Sequence, residues 1–175
     1  MAEFLLDEPA NRVPELRLAM DPTKDYSNGQ YGFVDMFICP RINGPCLVLE
    51  LKTLTLSGLL QKSNENVSNS ELERMQSEID EDTESGLLKR RYSYWTAKGI
   101  VKTTVGDMVE DAIQQLTRYM WVISIGRPSA NNPGASDPRV RRSEGKNVLE
   151  GYVIMSIGRR RVLIHRLTQH DYELT

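Results

Sequence analysis

Three residues have the types and spacing to do chemistry: Asp35, Glu50 and Lys52. They lie in two segments, 32–39 and 46–53, each rich in β-branched, aromatic and aliphatic residues. Between them Pro40, Asn43, Gly44 and Pro45 supply turn chemistry. The pattern predicts an antiparallel hairpin, in which the numbers of facing residues add to a constant. If Cys39 faces Cys46 the constant is 85, and Asp35 then faces Glu50. Two carboxylates directly opposite on neighbouring strands repel, and burying them calls for a compensating positive charge. A divalent cation between them would supply it. Lys52 follows Glu50 by two residues and so shares its side of the strand. The hairpin therefore reads as a metal site with a lysine beside it.

A second set lies further along the chain. Asp111, Gln115 and Tyr119 recur every four residues and would stack on one side of a helix, next to its apolar face. The glutamine amide and tyrosine hydroxyl can each orient a water or a phosphate. The bland alternative is an ordinary polar helix shoulder.

Together these pieces resemble the PD-(D/E)xK nuclease superfamily, in its RecB-like branch. The matching elements are Asp35 on one strand, Glu50-Leu51-Lys52 on the next, and a later helix bearing Gln115-x-x-x-Tyr119. Val34 stands where many members have proline. The resemblance implies a restriction-endonuclease-like α/β (α+β) fold, a mixed central sheet flanked by helices with a helical and loop insertion. It implies metal-dependent hydrolysis of nucleic-acid phosphodiester bonds, with DNA favoured over RNA. Asp35, Glu50 and the Leu51 carbonyl would hold Mg²⁺ or Mn²⁺, and Lys52 would orient water or stabilise the developing oxyanion. Gln115 would help place the water or the strand, and Tyr119 would support the site wall. A further acid from a first helix is implied; Glu15 is the candidate, with Glu3 and Glu8 as competitors. The alternative is a catalytically silent module of the same fold that binds nucleic acid or a protein.

These residues need elements to position them. Residues 13–20, opening at Pro14, read as a short helix, and the hairpin follows at about 32–53. Residues 55–97 read as an insertion. It holds a helix near 70–80, capped by Ser70 with Glu73 at the capping-box position, then an exposed, mobile stretch at 80–85. The most strongly patterned helix runs from Val105 to about Ile123, where Val105, Met108, Val109, Ala112, Ile113, Leu116, Met120 and Ile123 form one apolar stripe. A flexible loop is expected over about 126–147. Strands follow at 148–156 and 161–167, joined at Gly158. Trp95 and Trp121 read as core or core-edge residues, and His165 as a packed or surface strand residue.

The length of 175 residues suits a single domain, and no apolar run is long enough to cross a membrane. The acidic, weakly apolar N-terminus does not read as a signal peptide. Two cysteines make a poor disulfide framework, so the expectation is reduced thiols and an intracellular protein. A strand-like segment running almost to residue 175 suggests one domain of a longer polypeptide. Cutting both strands would usually need two sites, which makes a homodimer plausible. The net charge of −2 excludes a general polycation, so any polyanion must meet a local patch. Residues 64–84 carry eight acids against Arg74 alone, whereas bases gather at 89–91, 139–146 and 159–161. An acidic stretch lying over a basic face would compete with phosphate.

Overall fold

The structure, a computed structural model, describes residues 12–24, 30–39, 44–62, 67–137, 148–168 and 170–171. Glu3, Glu8 and the basic cluster at 139–146 lie outside them. Eight strands and four helices follow in order: β1 (Arg12–Ala19), β2 (Tyr31–Ile38), β3 (Cys46–Leu54), α1 (Leu56–Leu59), α2 (Asn69–Glu81), α3 (Glu84–Leu88), β4 (Arg91–Thr96), β5 (Gly99–Thr104), α4 (Val105–Ile125), β6 (Gly134–Ala135), β7 (Leu149–Ile157) and β8 (Arg161–Leu167). Six strands form one sheet in the order β6-β1-β2-β3-β7-β8, and β4 pairs with β5 in a second, two-stranded sheet. Strand β1 runs antiparallel to β2 and β6, and β2 antiparallel to β3. Hydrogen bonds from Cys46 N to Val148 O and from Gly158 N to Leu54 O follow β3 and β7 in the same direction, so that pair is parallel. The fold is thus a mixed α+β fold with a central mixed sheet. No helix among the described residues is long and apolar enough to cross a membrane.

The chain divides into two compact units. Met1–Glu50, Gln115–Tyr152 and Arg166–Thr175 form the first, and Leu51–Gln114 with Val153–His165 the second. In the first, Leu16, Leu18, Val34, Phe37, Val48, Leu116 and Met120 are buried. In the second, Leu56, Leu59, Ile79, Leu87 and Tyr92 pack with Val105, Val109, Met155, Ile157 and Leu163. With Leu54, that cluster has eleven buried residues, and the 55–97 stretch supplies five of them.

Several expectations need correction. Residues 13–20 are a strand, not a helix. A lone short helix is marginal in water, whereas β1 gains a ladder of seven registered pairs with β2. Pro14 lacks an N–H, and it sits where β1 has only β2 beside it among the described residues. The cap of α2 is Ser68 with Glu71, a capping box two residues earlier than expected. The 126–147 loop contains β6, held against Leu18 and Ala19 of β1. Gly134 is needed there because a Cβ would run into the Gly126 carbonyl.

The β4–β5 hairpin was not anticipated. It turns at Ala97 and Lys98 into Gly99, whose φ of 116° favours glycine. Trp95 and Trp121 are not core residues: they are 68% and 42% exposed. Cys39 and Cys46 are joined as a disulfide rather than reduced, which removes the thiol argument for an intracellular protein. As expected, α4 forms over the long apolar stripe, and β7 and β8 are joined through Gly158 with φ 62°.

Candidate functional site: a carboxylate row across three strands

The β2–β3 ladder pairs Met36 with Leu49, Phe37 with Val48 and Ile38 with Leu47. Each pair adds to 85, the register expected from the turn. The disulfide at Cys39 and Cys46 continues this register outward; inward, the ladder ends at Met36–Leu49, the neighbours of Asp35 and Glu50. Glu50 lies on the buried side of β3 with Cys46 and Val48 and is only 1% exposed. Its Oε2 atom is sealed from solvent. Among the described residues it is the only carboxylate in the buried class. Burying an ionised carboxylate costs several kcal/mol after relaxation, on the order estimated for buried ions. Held ionised at this depth, such a group needs an offsetting positive charge or hydrogen bonds.

Strand β1 carries the row further. Pro14 faces Met36 and Leu16 faces Val34, and these pairs bracket Glu15 and Asp35. Glu15 has φ 50°, a left-handed backbone that costs a non-glycine residue about 1–2 kcal/mol. The burial pattern slips by one at this row. Val13 and Phe37 are buried on one side of it, Leu16, Leu18 and Val34 on the other. The kink therefore lies at the row that carries the acids, and strain of this kind clusters at functional positions. Glu15 is exposed. Among the described residues no three His, Cys, Asp or Glu side chains gather as a metal-binding group, so Glu15 does not close a three-acid cluster with Asp35 and Glu50.

Helix α4 brings the second set. It starts at a reciprocal cap, in which Thr104 N donates to Asp107 and Asp107 N donates to the Thr104 hydroxyl. The Thr104 and Thr103 hydrogen bonds hold the Asp107 carboxyl below its ordinary range. Gln115 Nε2 donates to the Tyr119 hydroxyl at 3.0 Å, the one-turn contact expected of an i,i+4 pair. Asp111, one turn earlier, is exposed.

Tyr119 lies against β2: a Cβ at Gly32 would come within 2.8 Å of its Cε1 atom. The Gln115–Tyr119 pair is thus seated on the strand that carries Asp35, three residues before it. On the same helix Leu116 and Met120 cover Gly151 of β7, where a Cβ would strike the Met120 sulfur. Gly32 is the positioning residue that sequence reading missed. Its signal was a glycine inside a strand pattern, which marks close approach by another element.

Leu51 and Lys52 continue β3 into the second unit. Leu51 is 47% exposed and Lys52 half-buried, on the side of the strand that Glu50 uses. Asp35, Glu50 and a main-chain carbonyl are hard oxygen donors. Their chemistry fits Mg²⁺ or Mn²⁺, which take oxygen ligands and retain water; it does not fit a soft-ligand metal. Comparison with protein-family models, curated proteins and solved structures finds no match to this chain.

Proposed function

We propose that this protein is a metal-dependent nuclease that hydrolyses phosphodiester bonds of nucleic acid, with DNA the preferred substrate. The observation that carries the reading is the buried Glu50 carboxylate, one residue past the Met36–Leu49 pair that adjoins Asp35. Asp35 and Glu50, with the Leu51 carbonyl, would hold Mg²⁺ or Mn²⁺. Such an ion lowers the pKa of a bound water and offsets charge on the phosphate.

The remaining roles belong to the chain itself. The Lys52 ammonium orients the attacking water or stabilises the charge that develops on the phosphoryl oxygens. The Tyr119 hydroxyl accepts from Gln115 and so keeps its own proton to donate towards a phosphate oxygen. Gly32 leaves room for that ring. Glu15 sets the kink of the row and is assigned no ligand role.

The test is cleavage of single- and double-stranded DNA and RNA with Mg²⁺, Mn²⁺ or EDTA, by wild type and Lys52→Ala. The reading expects cutting that needs the metal and falls with Lys52→Ala. Cutting that survives both chelation and the substitution would overturn the mechanism. Tight binding without cutting would favour a catalytically silent nucleic-acid-binding module.

A further inference from the structure

The β4–β5 hairpin presents a face that the nuclease reading does not use. Registered pairs share a face of the ribbon, so Arg91 goes with Thr104, Ser93 with Lys102 and Trp95 with Ile100. The opposite face carries Tyr92 and Tyr94, stacked with ring centroids 6.1 Å apart, and it packs inward. Towards the turn the first face is open, whereas further back Ser93 donates to the Gly58 carbonyl. Trp95 is 68% exposed and its partner Ile100 is 53% exposed, while Arg91, Lys98 and Lys102 are exposed as well. Leaving a tryptophan and an isoleucine side by side in water is unfavourable, and such a patch marks a contact surface.

Charge identifies the occupant. From Arg91 to Thr104 the hairpin has three cations and no acid. Several other bases of the second unit are already engaged. Arg159 pairs with Glu73 and Arg160 with Asp80, and Arg161 donates to the Asp82 carbonyl. Arg90 pairs with Asp82 and Glu78. Among the described residues nothing pairs with Arg91, Lys98 or Lys102. The acid hydrogen-bonded to this hairpin, Asp107, caps the Thr103–Thr104 end, away from Trp95. The face therefore combines an aromatic platform with cations on either strand. That is the chemistry that tracks a polyanion whose bases can stack.

We propose that the outward face of the β4–β5 hairpin binds a single strand of nucleic acid, with a base stacked on Trp95 and phosphates held by Arg91, Lys98 and Lys102. Lys102 is the diagonal cross-strand neighbour of Trp95, about 7–8 Å away, so a lysine can reach the phosphate of the stacked nucleotide. A duplex would not serve as well, because its bases are already stacked on one another. An anionic membrane is disfavoured because Ser93 and Thr104 interrupt the apolar surface. The inference shares with the proposed function only the premise that nucleic acid is the partner. It uses neither Asp35 nor Glu50.

The test is fluorescence anisotropy of labelled oligothymidylate and oligouridylate with the full chain in EDTA, so that no cleavage is read. A matching duplex and anionic lipid vesicles serve as further arms. The expected result is that both single strands bind more tightly than the duplex. Trp95→Ala should weaken them by about 5- to 150-fold, the loss of one stacked base, while Trp95→Phe restores most of the affinity. Replacing Lys98 and Lys102 together by alanine should make the slope of log affinity against log salt shallower by about 1.4. Unchanged circular dichroism and melting keep a folding defect out of the comparison, and Trp121→Phe should bind as wild type does.

Binding by Trp95→Ala within twofold of wild type would overturn the proposal. So would tighter binding to the duplex, or Trp95-dependent binding to vesicles without binding to either oligonucleotide. Binding through Trp95 without cleavage would sink the nuclease reading alone. Metal-dependent cleavage with binding indifferent to Trp95 would sink this inference alone.

Discussion

The disulfide between Cys39 and Cys46 clamps the turn end of the β2–β3 pair, and its removal is a quantitative test of the register argument. The two cysteines are separated by seven positions, which closes a short loop. The chain-entropy relation gives a loop of that size a contribution of about 2.5 kcal/mol. For a chain of 175 residues each kcal/mol moves the melting midpoint by about 2–4 °C, so reduction should lower it by about 5–10 °C. The assay is thermal melting with and without reductant, beside a Cys39→Ser/Cys46→Ser variant and a thiol count in denaturant. Wild type should show no reactive thiol until it is reduced, and reductant should have no effect on the double variant. Cleavage should survive in part, because the Met36–Leu49, Phe37–Val48 and Ile38–Leu47 pairs keep the register without the clamp. Two free thiols in unreduced protein, or a midpoint indifferent to both reductant and substitution, would refute the reasoning.

Three other perturbations test the positioning of the site and the electrostatics. Gly32→Ala would bring a methyl within 2.8 Å of the Tyr119 ring. It should cost about 1–3 kcal/mol by overpacking and lower cleavage further than the stability loss explains, as kinetics beside melting will show. Glu71 is held at about 2, below its ordinary 4.5, first by the Lys62 hydrogen bond and then by the Ser68 backbone and hydroxyl. Because its folded value is depressed, its contribution is present above about 4.5 and is lost as pH falls towards 2. Glu71→Gln should flatten the pH dependence of the melting midpoint within that window. Glu73→Gln with Asp80→Asn should release Arg159 and Arg160 from α2. Exposed ion pairs are worth at most about 1 kcal/mol, so stability should barely move. Affinity for nucleic acid should rise and its salt dependence steepen, and unchanged binding would show that α2 does not compete with phosphate.

The parts of the fold legible in the sequence were those whose pattern admits one solution. The symmetric spacing of Cys39 and Cys46 about a proline–glycine turn gave the register of β2 and β3, and the long apolar stripe gave α4. Strand β1 was misread because Leu16 and Leu18 fit a short helix or a strand equally well. What decides is the β2 ladder, which no local pattern contains. The cap of α2 was ambiguous for a definite reason: Ser68/Glu71 and Ser70/Glu73 have the same spacing. The first pair is chosen where Lys62 also reaches Glu71, at 2.6 Å.

Within the candidate site, the Gln115–Tyr119 contact was legible. The depth of Glu50, the left-handed backbone of Glu15 and the fit of Tyr119 over Gly32 were not, since each depends on how separate elements pack. Exposure of Trp95 failed to show for the same reason. An aromatic in an alternating strand is ordinarily taken for core until the second face of its ribbon is seen to be uncovered.

The most direct measurement of the central claim is Mn²⁺ binding to the full chain, followed by electron paramagnetic resonance titration, for wild type, Asp35→Asn and Glu50→Gln. The account predicts one bound ion in wild type, lost or strongly weakened in each variant, with Mg²⁺ competing for the same place. Equal Mn²⁺ binding by all three proteins would contradict it.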